Sequence, residues 1–247
     1  MRTAESTLPT PRTAPLWLLD FAYPRLCIVC TRPSSPELRW MCTECINALR
    51  INAAGRNACP WCGQNRTERR CDCTEEAHAE PRTFSLFDFD ETLKPLVHAF
   101  KYGGLKRLAF DLGRHFASLL PPEYTDGVQA VIPIPLHWAR TLKRGYNQAA
   151  WLARGFCAGL SAPNLLHEKP VRRVRHTKTQ TRLDRNRRAA NIAGAFRLHP
   201  RSREFPVGKR IIIVDDVVTT GATTAQCAQV LLAGGAAEVR VVSLARD

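Results

Sequence analysis

From residue 84 onward the apolar positions switch repeatedly between a period of two and a period near 3.6. Phe84-Ser85-Leu86-Phe87-Asp88-Phe89 reads as a strand. Residues 91–102 read as a helix despite Pro95, with Gly103-Gly104 as its stop. Leu105, Leu108, Leu112, Phe116 and Leu119 recur at helical spacing until Pro121-Pro122 ends the run. Residues 128–134 predict a short apolar strand, and Leu152, Phe156 and Leu160 mark one face of a further helix. Ile211-Ile212-Ile213-Val214 has no polar side at all, as a strand buried on both faces of a parallel sheet requires. Residues 222–233 predict a helix with Thr224, Cys227, Ala228 and Leu231 on one stripe. Gly234-Gly235 stops it, and residues 239–244 predict another strand. This alternation predicts an α/β domain with a mainly parallel sheet.

The first third of the chain lacks such periods. Residues 1–15, with three prolines, read as a disordered leader. Residues 16–80 carry eight of the ten cysteines, and a polar stretch at 74–82 marks a linker before a domain spanning 81–247. The cysteines pair as Cys27-x2-Cys30, Cys42-x2-Cys45, Cys59-x2-Cys62 and Cys71-x-Cys73. Two thiolates so close in sequence can turn onto one tetrahedral metal, and two such pairs complete a four-thiolate zinc shell. Such all-cysteine shells are closed and structural. One or two zinc ions are expected, in a double zinc-ribbon-like arrangement. Sequential and interleaved pairings of the four motifs are both open, and Cys71-x-Cys73 is a tighter bite than the others. The competing disulfide framework needs an oxidising compartment, and the N-terminal stretch has no apolar signal region, so a cytoplasmic location is expected. Cys157 and Cys227 sit in apolar helical contexts and read as small buried hydrophobes.

Charge divides the chain in the same place. The 247 residues carry 36 Lys+Arg against 22 Asp+Glu, a net charge of +14. Residues 16–80 are neutral, whereas 81–247 carry +13, and 169–203 hold twelve basic residues against the single acid Asp184. A polyanion or a phosphorylated metabolite is the expected partner. A mean hydropathy of −0.24 and no apolar run near the ~18 residues a bilayer span needs predict no membrane insertion.

The run Ile211-Ile212-Ile213-Val214-Asp215-Asp216-Val217-Val218-Thr219-Thr220-Gly221-Ala222-Thr223 carries the chemistry. An apolar strand brings two carboxylates to the carboxyl edge of the sheet, where α/β proteins bind ligands. A Thr/Gly loop then opens a helix, whose N–H groups and dipole suit a phosphate. Carboxylates beside a phosphate cradle make sense when they accept hydrogen bonds from sugar hydroxyls, with a divalent cation nearby. The composite ligand is a phosphorylated ribose. A Walker-type reading fails, because no G-x-x-x-x-G-K-[ST] exists; Gly208-Lys209 is followed by Arg210.

That run resembles the signature of type I phosphoribosyltransferases, which bind 5-phosphoribosyl 1-pyrophosphate (PRPP). The chain from about Leu16 resembles more narrowly the ComF/GntX family, linked to bacterial competence and DNA utilisation. The order of parts carries the likeness: the paired cysteines ending in Cys59-Pro60-Trp61-Cys62-Gly63, then Phe100-Lys101-Tyr102-Gly103, then Pro133-Ile134-Pro135-Leu136 leading into Arg144-Gly145-Tyr146-Asn147-Gln148, and last the phosphoribose run. The resemblance implies a type I phosphoribosyltransferase-like domain preceded by a small Cys-rich zinc-binding domain. It implies that Asp215 and Asp216 bind the ribose hydroxyls, and that Thr219, Thr220, Gly221, Ala222 and Thr223 hold the 5′-phosphate. Arg140, Arg144 and Asn147 fall where such folds contact pyrophosphate, and Arg173, Arg175 and Lys178 begin a segment (173–188) that closes over the site. Residues 84–120 would form the hood that recognises the acceptor.

Two functions follow from this reading. One is a Mg²⁺-dependent transferase that displaces pyrophosphate from PRPP onto an acceptor the sequence does not specify. No residue presents itself as a general base, and none of the seven histidines makes a catalytic pairing by spacing. The other is a PRPP-sensing module without turnover that grips single-stranded DNA through its basic face and works with other DNA-uptake proteins.

Overall fold

The computed structural model describes residues 25–35, 39–49, 81–175 and 192–247. They belong to two compact units that part between Ile46 and Asn47. The expected leader, Cys59, Cys62, Cys71, Cys73 and Lys178 lie outside the described residues.

In the first unit a turn brings Thr31 N–H onto the Cys27 carbonyl at 2.9 Å, with Thr31 at φ 62°. Cys42 follows buried Met41 and directly precedes helix α1 (Thr43–Ala48). Ile28 N–H bonds the Trp40 carbonyl at 2.9 Å and Ser35 N–H the Met41 carbonyl at 2.7 Å, so backbone bonds tie the two cysteine motifs together.

The second unit is built on a four-stranded parallel sheet of β1 (Arg82–Asp88), β2 (Ala130–Pro133), β5 (Arg210–Val218) and β6 (Glu238–Arg246), in the order β1-β6-β5-β2. Between β1 and β2 run helices α2 (Leu93–Tyr102) and α3 (Lys106–Leu119). Helices α4 (Trp138–Arg144) and α5 (Gln148–Gly159) follow β2. A two-stranded antiparallel ribbon pairs β3 (Val171–Arg173) with β4 (Phe196–Leu198), and α6 (Ala222–Ala233) joins β5 to β6.

The expected elements are present, with three informative differences. The apolar strand at 211–214 extends to Val218, because β6 continues alongside it through Asp215↔Ser243, Val217↔Ala245 and Val218↔Arg246. The strand expected at 128–134 shortens to Ala130–Pro133, and its ladder ends at Pro133↔Val214. Ile134 N–H makes one last bond to the Val214 carbonyl at 2.8 Å, and Pro135 has no N–H with which to continue. Within the segment expected to be hood, β1 is an edge strand of the central sheet.

Buried side chains, mostly apolar, run unbroken along the central strands, and alternate ones share a face. Ile211 and Ile213 of β5, Val239 and Val241 of β6 and Ile132 of β2 join Cys227, Ala228 and Leu231 of α6 and Phe196 of β4 in one cluster. The expected stripe on α6 is therefore its core face, and both helical cysteines are buried as expected. Elsewhere α3 and α5 cross with their backbones almost touching, and the Phe116 and Phe156 rings meet tilted, their centroids 5.6 Å apart.

That crossing depends on glycine for space. A Cβ on Gly155 would lie 1.9 Å from the Phe110 carbonyl oxygen, and one on Gly113 would lie 2.1 Å from that of Leu152. Backbone cannot yield as a flexible side chain does. Gly155→Ala should therefore destabilise the fold by about 1–3 kcal/mol through overpacking, despite alanine's better helix propensity. Urea denaturation of the two proteins checks this.

Candidate functional site

Past Pro133, β5 runs on with β6 on one side and no ladder partner on the other among the described residues. Asp215 and Asp216 occupy that stretch. Successive strand residues face opposite sides, and the two carboxylates do meet different surroundings. Asp216 is mostly buried, and its Oδ1 lies 3.0 Å from Lys101 Nζ on α2. The same oxygen accepts from Val217 N–H at 2.7 Å. Asp215 is buried close enough to Cys227 for its charge to help push that thiol upward. Asp215 Oδ1 accepts from Asp216 N–H at 2.8 Å. Burial first, and the Asp216 charge second, push the Asp215 carboxyl up to about 7, while Lys101 and Arg173 pull in the other direction.

Downstream, Gly221 takes φ 78°, a conformation that glycine adopts without strain, and turns the chain into α6. No side chain caps this helix, and its first internal bond runs from Ala225 N–H to the Gly221 carbonyl. Thr219, Thr220 and Gly221 thus lead into α6, whose first residues Ala222 and Thr223 carry N–H groups without a side-chain cap.

The pyrophosphate candidates lie on the neighbouring elements. Asn147 donates to the Ile134 carbonyl at 3.0 Å and caps α5 by accepting from Ala149 N–H at 3.1 Å. It thereby fixes α5 to the end of β2. Arg144 lies over the Tyr102 ring at 5.1 Å and donates to Gln148 Oε1 at 3.1 Å. Gln148 Nε2 beside it is a buried donor with no hydrogen-bond partner among the described residues. Tyr146 donates its hydroxyl to the Phe100 carbonyl. Burial and the charge of Arg144 lower the pKa of Arg140; burial and the charge of Arg140 lower that of Arg173, against the pull of Asp215. Arg140, Arg144, Arg173 and Asp215 are therefore brought into one electrostatic neighbourhood. Arg175 is not part of it by any contact seen here: it is exposed and donates to the Ala193 carbonyl at 2.8 Å.

Lys101 was not among the residues expected to act. It was visible only as part of Phe100-Lys101-Tyr102-Gly103, a motif with no chemistry of its own until α2 is placed over β5. The two neighbours of Lys101 are both held by the Arg144-Gly145-Tyr146 segment, which positions its ammonium on Asp216.

In the first unit the sulfurs of Cys27, Cys30, Cys42 and Cys45 all lie within 4.8 Å of one another. The first two pairs therefore combine with each other. Four thiolates at about 2.3 Å from a tetrahedral zinc stand roughly 3.8 Å apart, so this donor set fits that ion. Cys27, Cys42 and Cys45 are buried, and a hydrogen bond from Arg32 Nε at 3.4 Å helps bring the Cys30 thiol down to about 6.

A parallel sheet with an acidic pair at an open strand end, an uncapped helix following it and a preceding four-cysteine cluster define an α/β protein with a Cys-rich unit ahead of its sheet. The chain belongs to the ComF family. It is 35% identical over 235 residues to the DNA utilization protein YhgH of Escherichia coli K12, covering 90% of this chain and 97% of that one. It is 33% identical to Competence protein F of Haemophilus influenzae (76% and 85% covered) and 27% identical to Competence protein ComFC of Bacillus subtilis (90% and 95%). No protein-family model matches. Among solved structures, glutamine PRPP amidotransferase from B. subtilis superposes with a TM-score of 0.37 at 20% identity, over 55% of this chain and 26% of that one. The allosteric regulatory enzyme of purine biosynthesis superposes with the same TM-score, and about a quarter of its length is covered.

Two measurements test this geometry. An Asp whose folded pKa is raised holds its proton in the folded state while the unfolded chain has lost it, so stability falls as pH rises from about 4 to about 7. Asp215→Asn should therefore raise the melting temperature at pH 8, by an amount that shrinks toward zero near pH 4. Metal analysis of protein purified under reducing conditions should find at least one zinc per chain for the Cys27/Cys30/Cys42/Cys45 cluster, and less after Cys42→Ser.

Proposed function

We propose that this protein binds PRPP and transfers its phosphoribosyl group. The observation that carries the reading is one strand–loop–helix, β5 to α6, which sets an acidic pair and an uncapped helix N-terminus side by side within reach of several cations. In this reading Asp215 and Asp216 accept from the ribose 2′- and 3′-hydroxyls, and the 219–223 turn holds the 5′-phosphate. Arg140, Arg144 and Arg173 take the pyrophosphate, with the orphan Gln148 donor a further candidate contact. Asp215, Asp216 and the ligand's own phosphates are a donor set of the oxygen type that Mg²⁺ takes, and when bound the ion would neutralise charge on the departing pyrophosphate. The chain's own work is electrostatic: it spreads cations around a leaving group and keeps water from the anomeric carbon while its bond to pyrophosphate breaks and the acceptor's forms.

The cysteine cluster is read as a structural zinc site that orders a unit with little apolar core. Four metal-ready thiols are best kept in a reducing cytoplasm. Residues 16–80 and 81–247 are the domains this reading assigns.

A second reading is a PRPP-sensing protein that handles single-stranded DNA. It is favoured by the twelve basic residues against one acid in 169–203 and by relatives named for DNA utilization and competence. Pyrophosphate release with a panel of nucleobases separates the two readings, because a sensor binds PRPP without releasing it.

Calorimetry with PRPP and Mg²⁺ should show binding that strengthens as pH rises through 7, where Asp215 ionises to accept the sugar hydroxyls. Asp216→Asn should cost roughly 1.5–3 kcal/mol, the worth of a hydrogen bond to a charged group, and Thr220→Val should weaken phosphate binding without disturbing the sheet. Unchanged affinity in the Asp215→Asn/Asp216→Asn double variant would reject the site.

A further inference from the structure

Helix α4 leaves two large apolar side chains in solvent: Trp138, 67% exposed, and Leu142, 76% exposed. They are one turn apart and share a face of the helix. Both line an open cleft of about 810 Å³, within the size range of ligand sites. Pro135, Leu136 and Val171 add to its apolar surface, and its walls carry Lys169, Arg172 and Arg173. The one acid on the lining among the described residues, Glu168, is already held by Arg154 through bonds of 2.6 and 3.0 Å. Neither acid of the ribose site nor any residue of the 219–223 turn lines this cleft. It is a separate surface that meets the ribose site only at Asn147 and Arg173.

An exposed indole beside an apolar shelf, with Lys169 and Arg172 in no ion pair among the described residues, asks for a ligand that is flat, apolar on its faces and anionic along its length. A phosphorylated sugar has no such face. An unpaired nucleotide has both parts: a base that stacks on Trp138 and a phosphate that meets Lys169 and Arg172. Duplex DNA keeps its base faces covered, so it would meet the charges but not the ring.

We propose that the α4 cleft is a stacking site for the bases of single-stranded nucleic acid, with Trp138 as its platform, Leu142 as its apolar edge, and Lys169 and Arg172 as phosphate contacts. This rests on the second reading above, DNA handling, and assigns it to residues distinct from the PRPP site. Cations and ring contribute differently, so they can be separated. Removing a stacking ring weakens every condition equally, whereas removing a phosphate contact changes the dependence on salt, by about 0.7 per contact for single strands.

The test is fluorescence anisotropy of labelled dT20 with the full-length protein, from 50 to 300 mM NaCl. Trp138→Ala should weaken binding by about 5- to 100-fold with an unchanged slope of log K against log salt. Trp138→Phe, which keeps a ring, should recover much of the loss. Lys169→Gln with Arg172→Gln should flatten the slope by about 1.4. PRPP–Mg²⁺ affinity, measured on the same preparations, should be retained in all three and serves as the check on folding. Should the wild-type protein bind dT20 while Trp138→Ala binds it equally well, the stacking site is wrong and DNA handling stands on other residues. Absence of any dT20 binding by the wild-type protein would overturn the DNA reading itself. An acidic, aromatic-containing peptide that binds where dT20 does not would assign the cleft to a protein partner and overturn the proposal.

Discussion

The candidate site exists because two neighbouring parallel strands end at different heights. Pro133-Ile134-Pro135 withdraws N–H donors from β2 just where Val214 offers its last carbonyl to it, while β5 continues for four residues against β6. The step leaves one side of Asp215 and Asp216 without a ladder partner. Had β2 continued, the acidic pair would lie in the middle of a closed sheet, where two adjacent carboxylates would be costly and inaccessible. The open edge makes them usable.

Burial of the acidic pair sets the next constraint. A carboxylate as enclosed as Asp215 is held toward its protonated form unless cations compensate, and two separate parts of the chain supply them: Lys101 on α2 and Arg173 on β3, the latter with Arg140 of α4 as its neighbour. The arginines also disfavour one another. A group of like charges gathered around a crevice stores repulsion that a polyphosphate would relieve, and the preorganised donors then need little rearrangement on binding. The same electrostatics explain why Asp216 is tied to Lys101. In the proposed function, a sugar hydroxyl would compete with this ion pair, which is largely shielded from water.

The Arg144-Gly145-Tyr146-Asn147-Gln148 run is the mechanical link between these parts. Tyr146 and Arg144 hold the two residues that flank Lys101, while Asn147 holds the end of β2. A single tight turn, with Gly145 at φ 78°, therefore sets both the height of the crevice wall and the position of the lysine inside it. A change here would be felt at Asp216 without any direct contact to it.

The sequence by itself was sufficient for whatever depends on short-range periodicity and on residue chemistry. Apolar runs and glycine stops located β1, α2, α3, α6 and β6 to within a few residues, and the spacing of the cysteine pairs announced four-thiolate shells without saying which pairs share one. The Asp-Asp-x4-Gly order before an apolar helix announced a carboxylate pair ahead of a helix N-terminus. Which cysteine pairs combine, where β2 stops relative to β5, and the burial that raises Asp215 were decided only in three dimensions, because each depends on what another part of the chain places alongside. Lys101 shows this most plainly: 114 residues separate it from Asp216 in the chain and 3.0 Å separate them in space. Trp138 and Leu142 show the converse. No apolar period in the sequence assigned them a place, and only the way α4 sits in the fold leaves them in solvent.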